Sequence, residues 1–131
     1  MPTLLRYEEL TYKIIGCAMA VHKELGNGFQ ETIYQRCLAL EFKENSILFE
    51  REREMPIFYK GVEVGTRRAD FLVEYKVIVE TKAVIQLDEV DIAQALNYLE
   101  AFDLPTGLLI NFGATSLQFK RLLNKKYGSK A

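Results

Sequence analysis

The sequence predicts an α/β fold in which a mixed β-sheet is flanked by helices. Three observations predict it. Apolar residues recur at helical spacing through the first third of the chain, and between Met55 and Thr81 they switch to period-two alternation. A further helical stretch near residue 90 then separates this meander from a short continuous apolar run, Leu108-Leu109-Ile110. A helix crossing between two strands of one sheet usually returns parallel and right-handed, which makes the sheet mixed.

The first helix is expected over about Tyr7 to Leu25, where Leu10, Ile14, Ala18, Val21 and Leu25 recur at steps of three and four. Gly26, Asn27 and Gly28 tolerate positive φ and stop it. The second runs from about Gln30 to Asn45, with Ile33, Cys37, Leu38 and Phe42 as its apolar stripe. Glu31 falls in its first turn, where a carboxylate suits the positive end of the helix dipole. Met55, Ile57 and Tyr59 then alternate with Pro56, Phe58 and Lys60 up to a turn at Lys60-Gly61. Val62 and Val64, then Ala69, Phe71 and Val73, continue the alternation; a tight connection at Glu74-Tyr75 leads to Val77, Val79 and Thr81. Three antiparallel strands are the natural reading. A third helix is expected over Glu89 to Phe102, with Val90, Ala93, Leu96 and Leu99 or Tyr98 inward. Leu108 to Ile110 reads as a strand covered on both faces, and Leu117, Phe119 and Arg121 as an edge strand.

At 131 residues one domain is expected, with its core at about 10–124 and a polar tail, 125–131, that frays. The hydrophobic fraction of 49% and charged fraction of 27% are ordinary for a globular protein and exclude wholesale disorder. No apolar run approaches the ~20 residues of a membrane span. Glu8 and Glu9 sit where a signal peptide would need its apolar core, so a cytoplasmic protein without membrane contact is expected. The net charge of −1 argues against a non-specific nucleic-acid coat but leaves room for a local basic face. Cys17 and Cys37 lie in helical stretches with no C-x-x-C pattern and are expected as free thiols.

Asp70, Glu80 and Lys82 carry the strongest chemical signal. Glu80 and Lys82 are two apart in a strand and leave the same face of the sheet. Asp70 lies on the preceding strand, out of parity with Phe71 and Val73, so two carboxylates and an ammonium can converge. Carboxylates ~4 Å apart repel by about 4 kcal/mol at a dielectric near 20, and a cation relieves this. Oxygen ligands on a rigid sheet suit Mg²⁺, which can lower the pKa of a water and stabilise charge on a phosphate. Alternatively, Lys82 simply neutralises Glu80 as a surface pair. Gln94 and Tyr98, four apart on the third helix, share a face that can meet phosphate or flank the sheet. Glu31 and Tyr34, one helical turn apart, offer a third acid and a hydroxyl, or a dipole partner and a core residue. His22 can serve proton transfer or phosphate contact, or be a partly buried histidine. Arg67 and Arg68, just before Asp70, can meet a phosphate bidentately amid a mixed-charge sheet edge.

Asp70, then Glu80-Thr81-Lys82 after a hairpin, then Gln94-x-x-x-Tyr98 on a helix resembles the PD-(D/E)xK nuclease superfamily, in its RecB- and Cas4-like branch. Gly28-x-x-Glu31-x-x-Tyr34, with Val21-His22-Lys23-Glu24-Leu25-Gly26 upstream, resembles the small bacterial and archaeal GxxExxY family. The likeness continues through Tyr59-Lys60-Gly61, Arg68-Ala69-Asp70 and Leu109-Ile110-Asn111-Phe112-Gly113, from about Leu10 to Asn124. It implies a restriction-endonuclease-like core and a nuclease that hydrolyses phosphodiester bonds in DNA, or secondarily RNA, with Mg²⁺ or Mn²⁺. It implies Asp70, Glu80 and the Thr81 carbonyl as metal ligands, Lys82 as the catalytic lysine and Glu31 as the helix acid. Gln94, Tyr98, Tyr34, His22 and Arg68 are then the substrate-binding candidates. Asp91 departs from the pattern, since relatives often carry His near this position. The rival expectation is a catalytically silent nucleic-acid- or protein-binding module on the same fold. A homodimer would serve either reading by doubling the contact surface.

Overall fold

A computed structural model describes residues 7–130. Its elements are α1 (Glu8–Leu25), α2 (Glu31–Glu44), β1 (Phe49–Tyr59), β2 (Val62–Val73), β3 (Val77–Lys82), α3 (Glu89–Phe102), β4 (Thr106–Asn111) and β5 (Gln118–Leu123). The five strands lie in sequence order in one sheet. Only β3 and β4 pair in parallel, across the α3 crossover; every other neighbouring pair is antiparallel.

Helices cover both faces. Ile14, Ala18 and Val21 of α1 and Tyr34, Leu38 and Phe42 of α2 pack on Phe71, Val73, Val77, Val79, Leu108 and Ile110. On the opposite face, Ala95, Leu99 and Phe102 of α3 meet Leu72, Ile78, Leu109 and Leu122. β4 is buried along its whole length, as its unbroken apolar run requires. Lys60 and Gly61 both have positive φ, 50° and 80°, the geometry of a two-residue hairpin turn whose twist matches that of the strands. Glu74 and Tyr75, with φ of 54° and 58°, open the three-residue connection from Val73 to Val77.

Two expectations are corrected. β1 begins at Phe49 rather than Met55, because Phe49, Glu50 and Arg51 pair with Val73, Leu72 and Phe71 although their polar pattern does not alternate. The inward stripe of α3 is Ala95, Leu99 and Phe102, with Val90 and Ala93 exposed. A capping box between Asp88 and Asp91 starts the helix and accompanies this phase. In the stretch 125–130 a 3₁₀ segment is kinked at Gly128, and Lys126 Nζ and Tyr127 Oη donate to the Asp103 side chain and carbonyl at the α3 C-cap at 2.9 and 2.8 Å. Ala131 lies outside the described residues.

Candidate active site

The site forms where β2 and β3 part. Their ladder consists of Phe71↔Val79, Leu72↔Ile78 and Val73↔Val77, and ends there. On the other side of β2 the pairing with β1 skips Glu52 and Asp70, and Glu52 has φ 56°. Beyond this point β2 follows β1 into the hairpin, while β3 follows β4 to Lys82. Side chains replace the missing ladder. Glu80 Oε2 accepts the Asp70 N–H at 3.0 Å, and Asp70 Oδ2 accepts both the Thr81 N–H at 2.7 Å and the Thr81 hydroxyl at 2.9 Å. Backbone groups that a sheet would satisfy are thus satisfied by the two carboxylates.

Behind the fork stands α2. Gln35 Nε2 donates to Glu31 Oε2 at 3.2 Å and to Thr81 Oγ at 2.9 Å. Its carbonyl accepts from Arg51 Nη2 at 3.3 Å, and the Arg51 guanidinium lies 5.6 Å from the Phe71 ring centroid. In front stands α3. A cavity of about 150 Å³ opens between these elements, lined by Glu31, Arg68, Asp70, Glu80, Thr81, Lys82, Asp91, Gln94 and Tyr98. Lys82 Nζ lies 3.6 Å from Asp91 Oδ1, and Tyr98 accepts from Arg67 Nη1 at 3.0 Å under a guanidinium 4.2 Å from its ring.

Four carboxyl groups line this small space, and burial penalises the charge of three of them, Glu31, Asp70 and Glu80. Glu80 is 7% exposed, and its carboxyl is pushed up to about 8, first by burial, then by Asp70, with Glu31 adding to the effect. Burial also raises Asp70, against the two Thr81 hydrogen bonds and the charges of Lys82 and Arg51. Glu31 is raised by burial and by Asp70, and eased by Lys82. Burial and mutual repulsion therefore favour protonation within the cluster unless further positive charge enters.

The structure thus brings together most of the residues singled out from the sequence: Glu31, Arg68, Asp70, Glu80, Thr81, Lys82, Gln94 and Tyr98. Two it does not. Tyr34 is fully buried; its hydroxyl donates to the Gly26 carbonyl at 2.6 Å and accepts the Phe29 N–H at 3.1 Å, and its ring stacks on Phe112 at 4.7 Å. It shapes the loop before α2 and presents no surface to a substrate. His22 is tied by Nε2 to the Ala114 carbonyl at 3.0 Å and is absent from the cavity lining. Sequence reasoning overlooked Gln35 and the place of Arg51. Gln35 stands four residues after Glu31, on the same helix face, which was a usable signal. Arg51 carried none, because its link to α2 exists only once the sheet is built.

The donor set suits a hard divalent cation. Among the described residues no three His, Cys, Asp or Glu side chains form a cage that would hold a metal by themselves. Mg²⁺ needs no such cage, since it takes one or two carboxylates and retains its waters. Asp70 and Glu80 are the carboxylates available, and their crowding is what a cation would relieve.

Comparison with known proteins points the same way. A family model described as the PD-(D/E)XK nuclease superfamily matches residues 8–122. Among solved structures, one titled "Crystal structure of SSO0001" is similar in fold, with a TM-score of 0.57 and 21% sequence identity. The match covers 91% of this chain and 60% of that one, so this chain spans less than two thirds of its length. No curated protein matches the chain significantly. No described helix is long and apolar enough to cross a membrane.

Proposed function

The chain belongs to the PD-(D/E)XK nuclease superfamily, and on that premise we propose that it hydrolyses phosphodiester bonds in DNA. One observation carries the reading. Across the strand fork the Glu80 carboxyl accepts the Asp70 N–H and the Asp70 carboxylate accepts the Thr81 N–H, and Lys82 lines the same cavity two residues beyond Glu80 along β3. Gly28-x-x-Glu31-x-x-Tyr34 and Gln94-x-x-x-Tyr98 support a closer kinship with the GxxExxY family and the RecB- and Cas4-like branch.

In this reading water attacks phosphorus, a P–O bond breaks, and a phosphate monoester and a hydroxyl result. The Lys82 ammonium orients the water and offsets charge growing on the phosphate oxygens. Glu31, raised toward the range useful for proton transfer, takes a proton from the water. Gln94, Tyr98 and Arg68 line the approach and hold the phosphodiester from the α3 side. A divalent cation, Mg²⁺ or Mn²⁺, held by Asp70, Glu80 and the Thr81 carbonyl would supply Lewis-acid stabilisation of charge on the phosphate.

The test is a metal-dependent cleavage panel over single-stranded, duplex and flapped DNA, run beside Lys82→Ala. Cleavage that needs Mg²⁺ or Mn²⁺ and is lost in the variant is expected. Equal cleavage by a folded Lys82→Ala protein would overturn the mechanism. The pairing of Lys82 with Asp91 favours a second reading, a catalytically silent nucleic-acid-binding module whose lysine is already engaged. Binding of DNA with neither metal uptake nor cleavage would select it.

A further inference from the structure

A larger cavity, of about 810 Å³, lies beside the catalytic one, along the outer side of α2 and the start of β1. Its lining holds three cations, Arg36, Lys43 and Arg51, and no carboxylate, in a chain whose net charge is −1. Its floor includes Leu40, Leu48 and Phe49, and Leu40 and Leu48 are largely exposed at 60% and 65%. Arg36, Leu40 and Lys43 are spaced four and three apart and so form one stripe along α2. Arg51 lines this groove and is linked to the catalytic site through Gln35. Its Nη2 is bonded to Gln35, which holds Glu31 and Thr81, while its Nε is buried with no hydrogen-bond partner among the described residues. A buried, unpaired guanidinium nitrogen is costly, and it leaves the charge of Arg51 only partly compensated by its bond to Gln35.

We propose that this groove holds the strand of the substrate that flanks the scissile bond, with Arg36, Lys43 and Arg51 on its phosphates and unpaired bases on the apolar floor. The assignment rests on the nucleic-acid reading of the adjoining site. Charge complementarity selects an anionic polymer. The apolar floor selects one with exposed bases, because a duplex turns only phosphate and sugar toward a wall of this kind. The tie from Arg51 through Gln35 to Glu31 sets the groove one side chain away from the catalytic cavity, close enough for one strand to reach both.

Both Arg36 and Lys43 are exposed, so reversing their charge leaves the fold intact. The experiment measures binding of a labelled single-stranded oligonucleotide by fluorescence anisotropy, in Lys82→Ala protein without metal, so that cleavage plays no part. Circular dichroism confirms folding. Arg36→Glu combined with Lys43→Glu is expected to weaken binding at least ~10-fold and to flatten the slope of log K against log salt by about 1.4, at about 0.7 per lost phosphate contact. Leu48→Asp is expected to weaken the single strand and leave a blunt duplex unaffected. Unchanged affinity and slope in the double variant would overturn the assignment and leave the groove to an acidic protein segment. Absence of binding by the parent would overturn it equally. Groove-dependent binding in a protein that never cleaves would uphold the groove and remove only the hydrolytic reading.

Discussion

The carboxylate of Glu80 accepts the backbone N–H of Asp70 at 3.0 Å, across the point where their strands separate. Asp70 in turn accepts the N–H of Thr81 at 2.7 Å. The acids proposed to bind a cation therefore also hold the sheet together, and substitutions separate the two duties.

Asp70→Ala takes the acceptor from the Thr81 N–H and from the Thr81 hydroxyl hydrogen in a buried place and is expected to cost about 1–3 kcal/mol as well as hydrolysis. Asp70→Asn retains an acceptor oxygen but not the charge. It is expected to melt within a few degrees of the parent while losing cleavage and metal uptake, measured by thermal denaturation and calorimetry. Full cleavage by Asp70→Asn would exclude the carboxylate from the chemistry.

Glu80 makes stability depend on pH. Its folded pKa, about 8, lies above the ordinary value of 4.5, so the folded form keeps a proton that the unfolded chain gives up. Stability is fully present below about pH 4.5 and falls as pH rises toward 8, at a slope approaching ~1.4 kcal/mol per unit. Metal-free protein should melt lower at pH 8 than at pH 5.5, and Glu80→Gln should flatten the profile. Addition of Mg²⁺ at pH 7 should release close to one proton, seen as a calorimetric heat that varies with the buffer's ionisation enthalpy.

Lys82 and Asp91 face each other at 3.6 Å with side chains 31% and 16% exposed. A pair at that distance contributes little, so Lys82→Ala is expected to shift stability by less than ~1 kcal/mol while abolishing cleavage. Asp91→Ala breaks the capping box of α3 and is expected to cost about 0.5–1 kcal/mol. By freeing the ammonium it should raise the cleavage rate; a fall would show that Asp91 positions the lysine.

Tyr34→Phe removes two hydrogen bonds from a fully buried hydroxyl, at 2.6 and 3.1 Å, and is expected to destabilise the chain by about 1–3 kcal/mol. Below the melting temperature its turnover at saturating substrate should match the parent's. A selective loss of turnover in a stable variant would return Tyr34 to the chemistry.

Gly113 is needed for close approach. A Cβ there would lie 2.4 Å from the Val84 carbonyl oxygen and 2.5 Å from the Ala83 carbonyl carbon, both backbone atoms that cannot turn aside. Asn111 pins the same stretch by bonding the Val84 N–H and carbonyl, each at 2.9 Å. Gly113→Ala should cost about 2 kcal/mol or more and displace the loop that follows Lys82, read by melting and by loss of cleavage at permissive temperature.

Much of the architecture was legible because periods of 3.6 and 2 are written in near neighbours. The bounds of α3, the turn at Lys60-Gly61, the continuous burial of β4 and the shared face of Glu80 and Lys82 all follow from spacing alone. The first half of β1 was illegible because its Glu and Arg side chains carry no apolar alternation, and pairing with β2 makes it a strand.

The sequence by itself determined the class of fold, the order of its elements and the presence of Asp70, Glu80 and Lys82 on adjoining strands. Only the tertiary structure decided that β2 and β3 part at Asp70, that Gln35 ties Glu31 to Thr81 and is itself held by Arg51, and that Tyr34 turns inward. The reason is the range of the forces involved. Periodicity is imposed by the local backbone, whereas these contacts depend on where donors left without a ladder find acceptors among side chains distant in sequence.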